Sequence, residues 1–387
     1  MFIAITMNHL RAVKAWADAH QAQATLDLSS FVLEVKARNR YYRLFPQFLA
    51  EVQGRMSHVT TLSAQATAFI GWRPYQPLTL SWSSDKLVFK EAVARAGLLT
   101  PAHWLAVEQA QADFVLKRSV GSFGYQLAGP YQSGRPLPGG VPTAMTAPDA
   151  RGRLYAEAFV QGQNLKVWFW AGRPVHAQCQ PYAVVQGDGR RTVLALLTQR
   201  LEDSGQAWST YSEREAVVSS LAYQDVALDT VLSPGQAVWL DYRYGRSFSQ
   251  AATTEAEDNA WPRLGTAVQA QIEQAGTWLA QEVAQELKAP VLCSMDGVLD
   301  RDGQVWWLEL NSNPICPPTA YFAMLASLFG TAPEAPAGAF SRTVRAPRRS
   351  AARSSPDVAP GPAAAIVPAL ERPSPPAASV GVENPLP

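Results

Sequence analysis

Around residue 300 the chain carries residues that could together hold a hard cation. In "WLELNSNP" (307–314), Glu309 and Asn311 stand two apart in a run whose apolar and aromatic neighbours belong in a strand. Just upstream, "VLCSMDGVLD" (291–300) leads into "RDGQVWW". Asp302-Gly303 is a strong two-residue hairpin signal, because both positions tolerate positive φ. With that turn 301 faces 304, Asp296 faces Glu309, and Asn311 shares their face. Directly opposed residues have Cβ atoms about 5 Å apart. Two carboxylates that close repel unless a positive charge lies between them, and oxygen ligands suit a hard cation. A four-residue loop would keep the faces, whereas a three-residue loop would break the pairing. The bland alternative is an acidic wet face on a half-exposed hairpin, since E-x-N is common.

A second set lies in "DFVLKRSVGSFGYQL" (113–127), read as strand, glycine-containing loop, strand. Lys117 ends the first strand. Gly121 and Gly124 let the backbone approach a ligand closely, and Ser119 and Ser122 add small polar positions. Such a loop can fold its N–H groups over phosphates while the lysine supplies a point charge. The lysine precedes the glycines and no helix follows, so this is not a P-loop. A plain hairpin with a solvent-directed lysine has the same pattern.

These residues need elements to position them. "FIAIT" (2–6) reads as a buried strand before a helix through "HLRAVKAWADAH". Further strands are expected at 29–35, 57–62 and 67–72, with "RLFPQFLAEVQG" between them, giving a small α/β unit. "SWSSDKLVFKEAVARAGLLTP" (81–101) reads as a helix capped by Ser83 or Ser84, ended by Gly97 and blocked by Pro101. Strands continue through 153–180. Leu264, Val268, Ile272, Leu279, Val283 and Leu287 keep the spacing of a long amphipathic helix leading to the hairpin.

A chain of 387 residues, 47% hydrophobic, can bury a large core and divide into two or three domains. A net charge of +1 argues against a nucleic-acid or anionic-membrane partner. Three scattered cysteines (Cys179, Cys293, Cys316) fit neither a disulfide framework nor a zinc site, and a reducing cytoplasm is the expected home. The N-terminus lacks a basic n-region, and no apolar run approaches the roughly 18–20 residues of a membrane span. Residues 331–387 are Ala/Pro/Ser-rich without an apolar period and are expected to be disordered.

The order of the motifs points further. Asp85-Lys86 opens a helix. Lys117 and its loop follow, then "AEAFVQG", a β-meander, and finally Asp296, Glu309 and "ELNSNP". Over roughly 80–325 this succession resembles the ATP-grasp superfamily. "PYAVVQGDGRRTVLALLTQRLE" (181–202) and "DVALDTVLSPGQAVWL" (225–240) look like the ATP-grasp module of cyanophycin synthetase and of the fused bacterial glutathione synthetases. Gly187-Asp188-Gly189 and Thr192-Val193 match that group's GDG signature, with Arg191 where a histidine is usual.

The resemblance implies an α/β (α+β) ATP-grasp fold. A small N-terminal domain (1–80) would precede a lid subdomain (81–160), a catalytic subdomain (161–330) and the tail (331–387). Lys86 and Lys117 would contact the nucleotide phosphates, under a lid formed by Ser119, Gly121, Ser122 and Gly124. Glu157 would meet the adenine amino group, and Ala158, Phe159 and Val160 would give backbone bonds to the ring. Asp296, Glu309 and Asn311 would hold Mg²⁺, two ions with Mn²⁺ as an alternative. Asn164 stands where the family has a ribose-binding acid, and Cys179 where it has an arginine. "GRSFSQ" (245–250) replaces the family's substrate loop, keeping Ser247 and losing the glycines.

A carboxylate is a poor electrophile, so amide formation needs activation as an acyl phosphate. Such a site requires positive charge and exclusion of water rather than a protein nucleophile. Arg246 with Ser247, Arg243 and Lys166 are the candidates for the oxyanion and the substrate carboxylate. The expected activity is an ADP-forming carboxylate–amine ligase acting on an amino acid or peptide. A small-molecule kinase and a non-catalytic nucleotide-binding module on the same scaffold are the alternatives. The oligomeric state is open, a homodimer among the options.

Overall fold

The computed structural model describes residues 2–52, 55–121, 128–138, 152–203, 205–244 and 258–331. It is a mixed α/β protein built on antiparallel sheets. The chain begins with helix α1 (Phe2–Ala19) rather than the expected strand at 2–6. The apolar run "FIAIT" is ambiguous by itself. The buried residues that follow, His9, Ala12, Val13, Trp16 and Ala17, recur at helical spacing and decide the matter.

An antiparallel sheet follows: β1 (Gln23–Leu26), β2 (Leu33–Ala37), β3 (Arg40–Val52), β4 (Arg55–Val59) and β5 (Ala66–Arg73). The stretch expected to separate strands, "RLFPQFLAEVQG", falls mostly within the thirteen-residue β3. Pro46 falls between the stretch paired with β2 (40–44) and the stretch paired with β4 (48–52), and pairs with Trp72 of β5 on the other edge. A proline interrupts a ladder only where its missing N–H is needed.

Helix α2 (Lys86–Arg95) is capped by Asp85, whose carboxylate accepts from Leu87 N at 2.8 Å, not by Ser83 or Ser84. Those serines close a 3₁₀ turn over 81–83 and its end. Gly97, at φ 71°, ends the helix as expected. Next come β6 (His103–Trp104), β7 (Phe114–Arg118), β8 (Ala128–Tyr131) and β9 (Leu154–Ala158), forming a four-stranded sheet in the order β6-β9-β7-β8.

A second four-stranded sheet joins β10 (Gly162–Trp170) and β11 (Arg173–Gln180) to a later hairpin. Between them lie a two-stranded ribbon, β12 (Ala183–Gln186) with β13 (Ala237–Asp241), and helices α3 (Val193–Asp203) and α4 (Arg214–Tyr223). Helix α5 (Thr266–Glu286) realises the long amphipathic stripe, burying Ile272, Ala275, Leu279 and Val283 against this sheet. The hairpin strands β14 (Leu292–Asp300) and β15 (Val305–Asn311) complete the order β11-β10-β14-β15, and α6 (Ala320–Phe329) packs back on α1. The core of α2 (Phe89, Ala92, Val93) is continuous with that sheet and α5 rather than with the β7–β9 core. No helix among the described residues is long and apolar enough to cross a membrane.

Candidate active site

The hairpin reaches the anticipated pairing by an unanticipated route. Asp300 N donates to Gln304 O, so the loop has three residues (301–303), and Leu299 pairs with Val305. Continued regularly, that register would set Asp296 opposite Leu308. A β-bulge intervenes: Gly297 pairs with Trp307, Leu308 is left over, and Asp296 pairs with Glu309. The extra residue also reverses the alternation. Val305, Trp307 and Leu310 point into the core, while Glu309 and Asn311 join Asp296 on the open face. The bulge thus explains how a carboxylate and an amide interrupt an apolar strand without being buried in its core. Gly297 opposes it because a Cβ there would lie 2.7 Å from Trp306 O.

Strand pairing then sets a polar row across the sheet: Gln178 on β11, Lys166 on β10, Asp296 on β14, Glu309 on β15. Lys166 Nζ lies 2.7 Å from Asp296 Oδ1, and Asn311 Nδ2 donates to Asp296 Oδ2 at 2.7 Å. Lys166 also lies 5.5 Å from the ring centroids of Trp168 and Tyr244. Lys86, the first residue of α2, sets its ammonium 3.2 Å from Glu309 Oε2 and 2.6 Å from Gly121 O. It thereby ties the metal-ligand candidates to the start of the glycine loop. Burial raises Asp296 above the usual carboxylate range, with Lys166 opposing and Glu309 reinforcing. Burial acts the same way on Glu309, but Lys86, Lys117 and Lys166 together hold it below that range.

Lys117 and Glu157 meet on one face of the second sheet. Lys117 pairs with Tyr155 and Val115 with Glu157, so the two side chains are diagonal neighbours. Lys117 Nζ lies 2.5 Å from Glu157 Oε1, and Lys90 of α2 lies 2.7 Å from Glu157 Oε2. Burial alone would raise Glu157; Lys117 and Lys90 outweigh it and hold the carboxyl at about 2. Ser119, buried, donates to Asp85 Oδ2 at 2.8 Å, and its carbonyl accepts from Lys86 N at 2.8 Å, latching the loop start to the N-terminus of α2. Ser122 and Gly124 lie outside the described residues, as do Arg246 and Ser247.

Other expected site residues are placed as follows. Ala158 N and Phe159 N donate to Ala102 O and Asp113 O, which leaves Val160 as the member of that trio whose N–H has no partner among the described residues. Asn164 is buried and donates to Tyr242 O at 2.8 Å, tethering the segment that carries Tyr244. Arg243 is chelated by Asp241 through Nε and Nη2 (2.9 and 2.7 Å) and paired with Glu213 at 2.7 Å. Its guanidinium is therefore committed to two carboxylates. Asp188 accepts from Arg190 N, Arg191 N and Arg191 Nε, so the GDG segment with its substituted Arg191 closes a turn before α3.

The sequence reading missed Lys90 and Asp85. Lys90 sits beside Phe89, Ala92 and Val93 on the buried side of α2, and that misplaced charge is the signal that could have found it. Around the cleft, Lys86, Lys90, Lys117 and Lys166 meet Asp85, Glu157, Asp296 and Glu309. Among the described residues, four lysines here face four acidic side chains, so their charges largely offset one another. A polyphosphate entering here needs added positive charge. The hard oxygen set of Asp296, Glu309 and Asn311 fits a divalent cation that supplies it.

No family model matches the chain, and no curated protein matches it. Solved structures that align with it include ligases and synthetases. A bifunctional glutathione synthetase from Pasteurella multocida aligns at 14% identity and a TM-score of 0.38, over 83% of this chain and 44% of that one. A D-alanine–D-alanine ligase from Bacillus anthracis aligns at 10% identity and 0.33, over 65% of this chain and 67% of that one. An L-amino acid ligase from Bacillus licheniformis aligns at 10% and 0.31, over 65% and 46%. The chain thus spans less than half the length of the synthetase. With TM-scores this low, the functional case rests on the geometry of the site.

Proposed function

We propose that this chain is an ATP-dependent, ADP-forming carboxylate–amine ligase acting on an amino acid or small peptide. One observation carries it: Asp296, Glu309 and Asn311 share a sheet face ringed by the ammoniums of Lys86, Lys117 and Lys166. The Thr319–His176–Asp258 contacts on the same sheet hold a fully buried imidazole and are not part of that ring; the ring itself consists of ammoniums, carboxylates and an amide. Such a site stabilises moving negative charge without a protein nucleophile.

In the reaction a substrate carboxylate oxygen attacks the γ-phosphorus and ADP leaves, giving an acyl phosphate. The amine then adds to the carbonyl carbon, loses a proton, and inorganic phosphate departs as the amide forms. Lys86 and Lys117 would hold the polyphosphate, and Lys166, beside Asp296, would neutralise the reacting carboxylate. Mg²⁺, or Mn²⁺, held by Asp296, Glu309 and Asn311 would supply Lewis-acid charge at the phosphates. Residues 1–80, 81–160 and 161–330 are taken as N-terminal, lid and catalytic parts, and a cytoplasmic location is part of the same proposal.

The test is a panel of amino acids and dipeptides scored for phosphate release from ATP, with mass spectrometry of the products. A ligase forms ADP in step with an amide and only when the acid is present. A stable phosphorylated product would make it a kinase, and the absence of turnover with every pair would refute catalysis on these substrates.

A further inference from the structure

The buried lysine of α2 has no part in the function so far described. Lys90 is fully buried, and its three N–H bonds all have acceptors: Glu157 Oε2 at 2.7 Å, Thr100 Oγ1 at 3.0 Å and Pro101 O at 3.1 Å. It is fixed. Lys117 is the opposite case. Its side chain is 15% exposed, and Glu157 Oε1 is its one hydrogen-bond partner among the described residues. The Glu157 side chain between them is 2% exposed. Leaving a buried charge unpaired costs far more than an exposed one, so a lysine can abandon Glu157 only if another cation stays behind.

We propose that Lys90 is a positioning residue, the permanent counter-ion of Glu157. It frees Lys117 to move from Glu157 to the nucleotide polyphosphate and opens Glu157 Oε1 to the 6-amino group of a purine. The proposal rests on ATP being the nucleotide. It follows that the cleft is poised rather than ready: before nucleotide enters, Lys117 occupies the position that a base would use. An ionised carboxylate only accepts hydrogen bonds. The vacated oxygen therefore favours a 6-amino purine, a donor, over a 6-oxo purine, which presents an acceptor there. Lys90 itself never touches the nucleotide.

Binding of inorganic triphosphate, ATP and GTP, each with Mg²⁺, to the full chain separates this role from a packing role. The unmodified protein should bind triphosphate, and ATP at least tenfold more tightly than GTP. Lys90→Met should weaken triphosphate and ATP alike by tenfold or more, because Lys117 becomes the sole counter-ion of a buried carboxylate and cannot leave. Adding Glu157→Gln to Lys90→Met should restore triphosphate binding but not the preference for ATP. A lysine that merely packs would not be rescued in this way. Glu157→Gln alone should tighten triphosphate binding, since Lys117 is released, and bring ATP and GTP close to equal; it decides the matter if Lys90→Met does not fold. Unchanged ATP preference in Glu157→Gln, or no rescue in a folded double variant, overturns the proposal while leaving the phosphate site in place. Failure of the unmodified protein to bind either triphosphate or ATP would instead remove the nucleotide function itself.

Discussion

Changing Lys117 to Met removes an ammonium that sits on Glu157 in the resting cleft and, on the account above, on phosphate during turnover. Folding should survive, because Lys90 stays on Glu157. Turnover should not. An exposed lysine contributes at most about 1 kcal/mol, whereas a cation on a transferring phosphate in a water-poor site is worth on the order of 2–4 kcal/mol, or about 10²–10³ in rate. Lys36, exposed on β2, is the control. Steady-state phosphate release from Lys117→Met and Lys36→Met, at matched thermal stability, should differ by at least a hundredfold. Equal rates would take Lys117 out of the site. At this scale the grouping of the residues was legible: Lys86 and Lys166 meet Glu309 and Asp296, Asn311 joins Asp296, and Lys117 meets Glu157. Arg243 was legible as a cation but not as a committed one, because its partners Asp241 and Glu213 reveal themselves only through the approach of α4 to β13. Lys90 escaped because a lysine at helical spacing normally directs its charge to water.

Among the elements, the β14–β15 hairpin shows how a correct pairing can come from an incorrect turn. Asp302-Gly303 signalled a two-residue loop; the structure forms a three-residue loop and recovers the register with a bulge at Leu308. A period-2 count cannot see a bulge, since one extra residue exchanges the faces. The bulge also makes Gly297 a sensitive position. Gly297→Ala would drive a methyl to 2.7 Å from Trp306 O, so the strands must part beside Asp296. Overpacking of this kind costs about 1–3 kcal/mol. Urea denaturation should show that loss, and triphosphate binding should fall with it. Gly265→Ala, at the N-cap of α5 where nothing lies within 4 Å of the added methyl, should lose only the smaller N-cap preference and leave triphosphate binding unchanged. An unchanged denaturation midpoint in Gly297→Ala would mean that the bulge is not held closed there.

For the whole molecule, the part that carries the candidate site was more legible in the sequence than the N-terminal sheet. The helical period is clean in α5, where Ile272, Leu279 and Val283 share the buried face. In β3 a proline hid a long strand, and in α1 the run Phe2–Ile5 outweighed the helical spacing that followed. The N-terminal sheet nevertheless bears on the site. Asn313, two residues beyond Asn311, exchanges hydrogen bonds with Leu78 (3.1 and 2.5 Å), His58 meets Asn313 O at 3.1 Å, and the buried Arg73 donates to Pro314 O. The strand that ends in Asn311 is therefore anchored by the N-terminal part of the chain.

The central claim is that a carboxylate attacks ATP and returns one oxygen to the phosphate. Amino acids or dipeptides from the productive pair, labelled with ¹⁸O in the carboxyl group, test this most directly when the mass of the released phosphate is read. The account predicts one ¹⁸O in each phosphate, ADP as the nucleotide product, and an amide that has lost one label. Unlabelled phosphate, or label recovered in AMP, would contradict it.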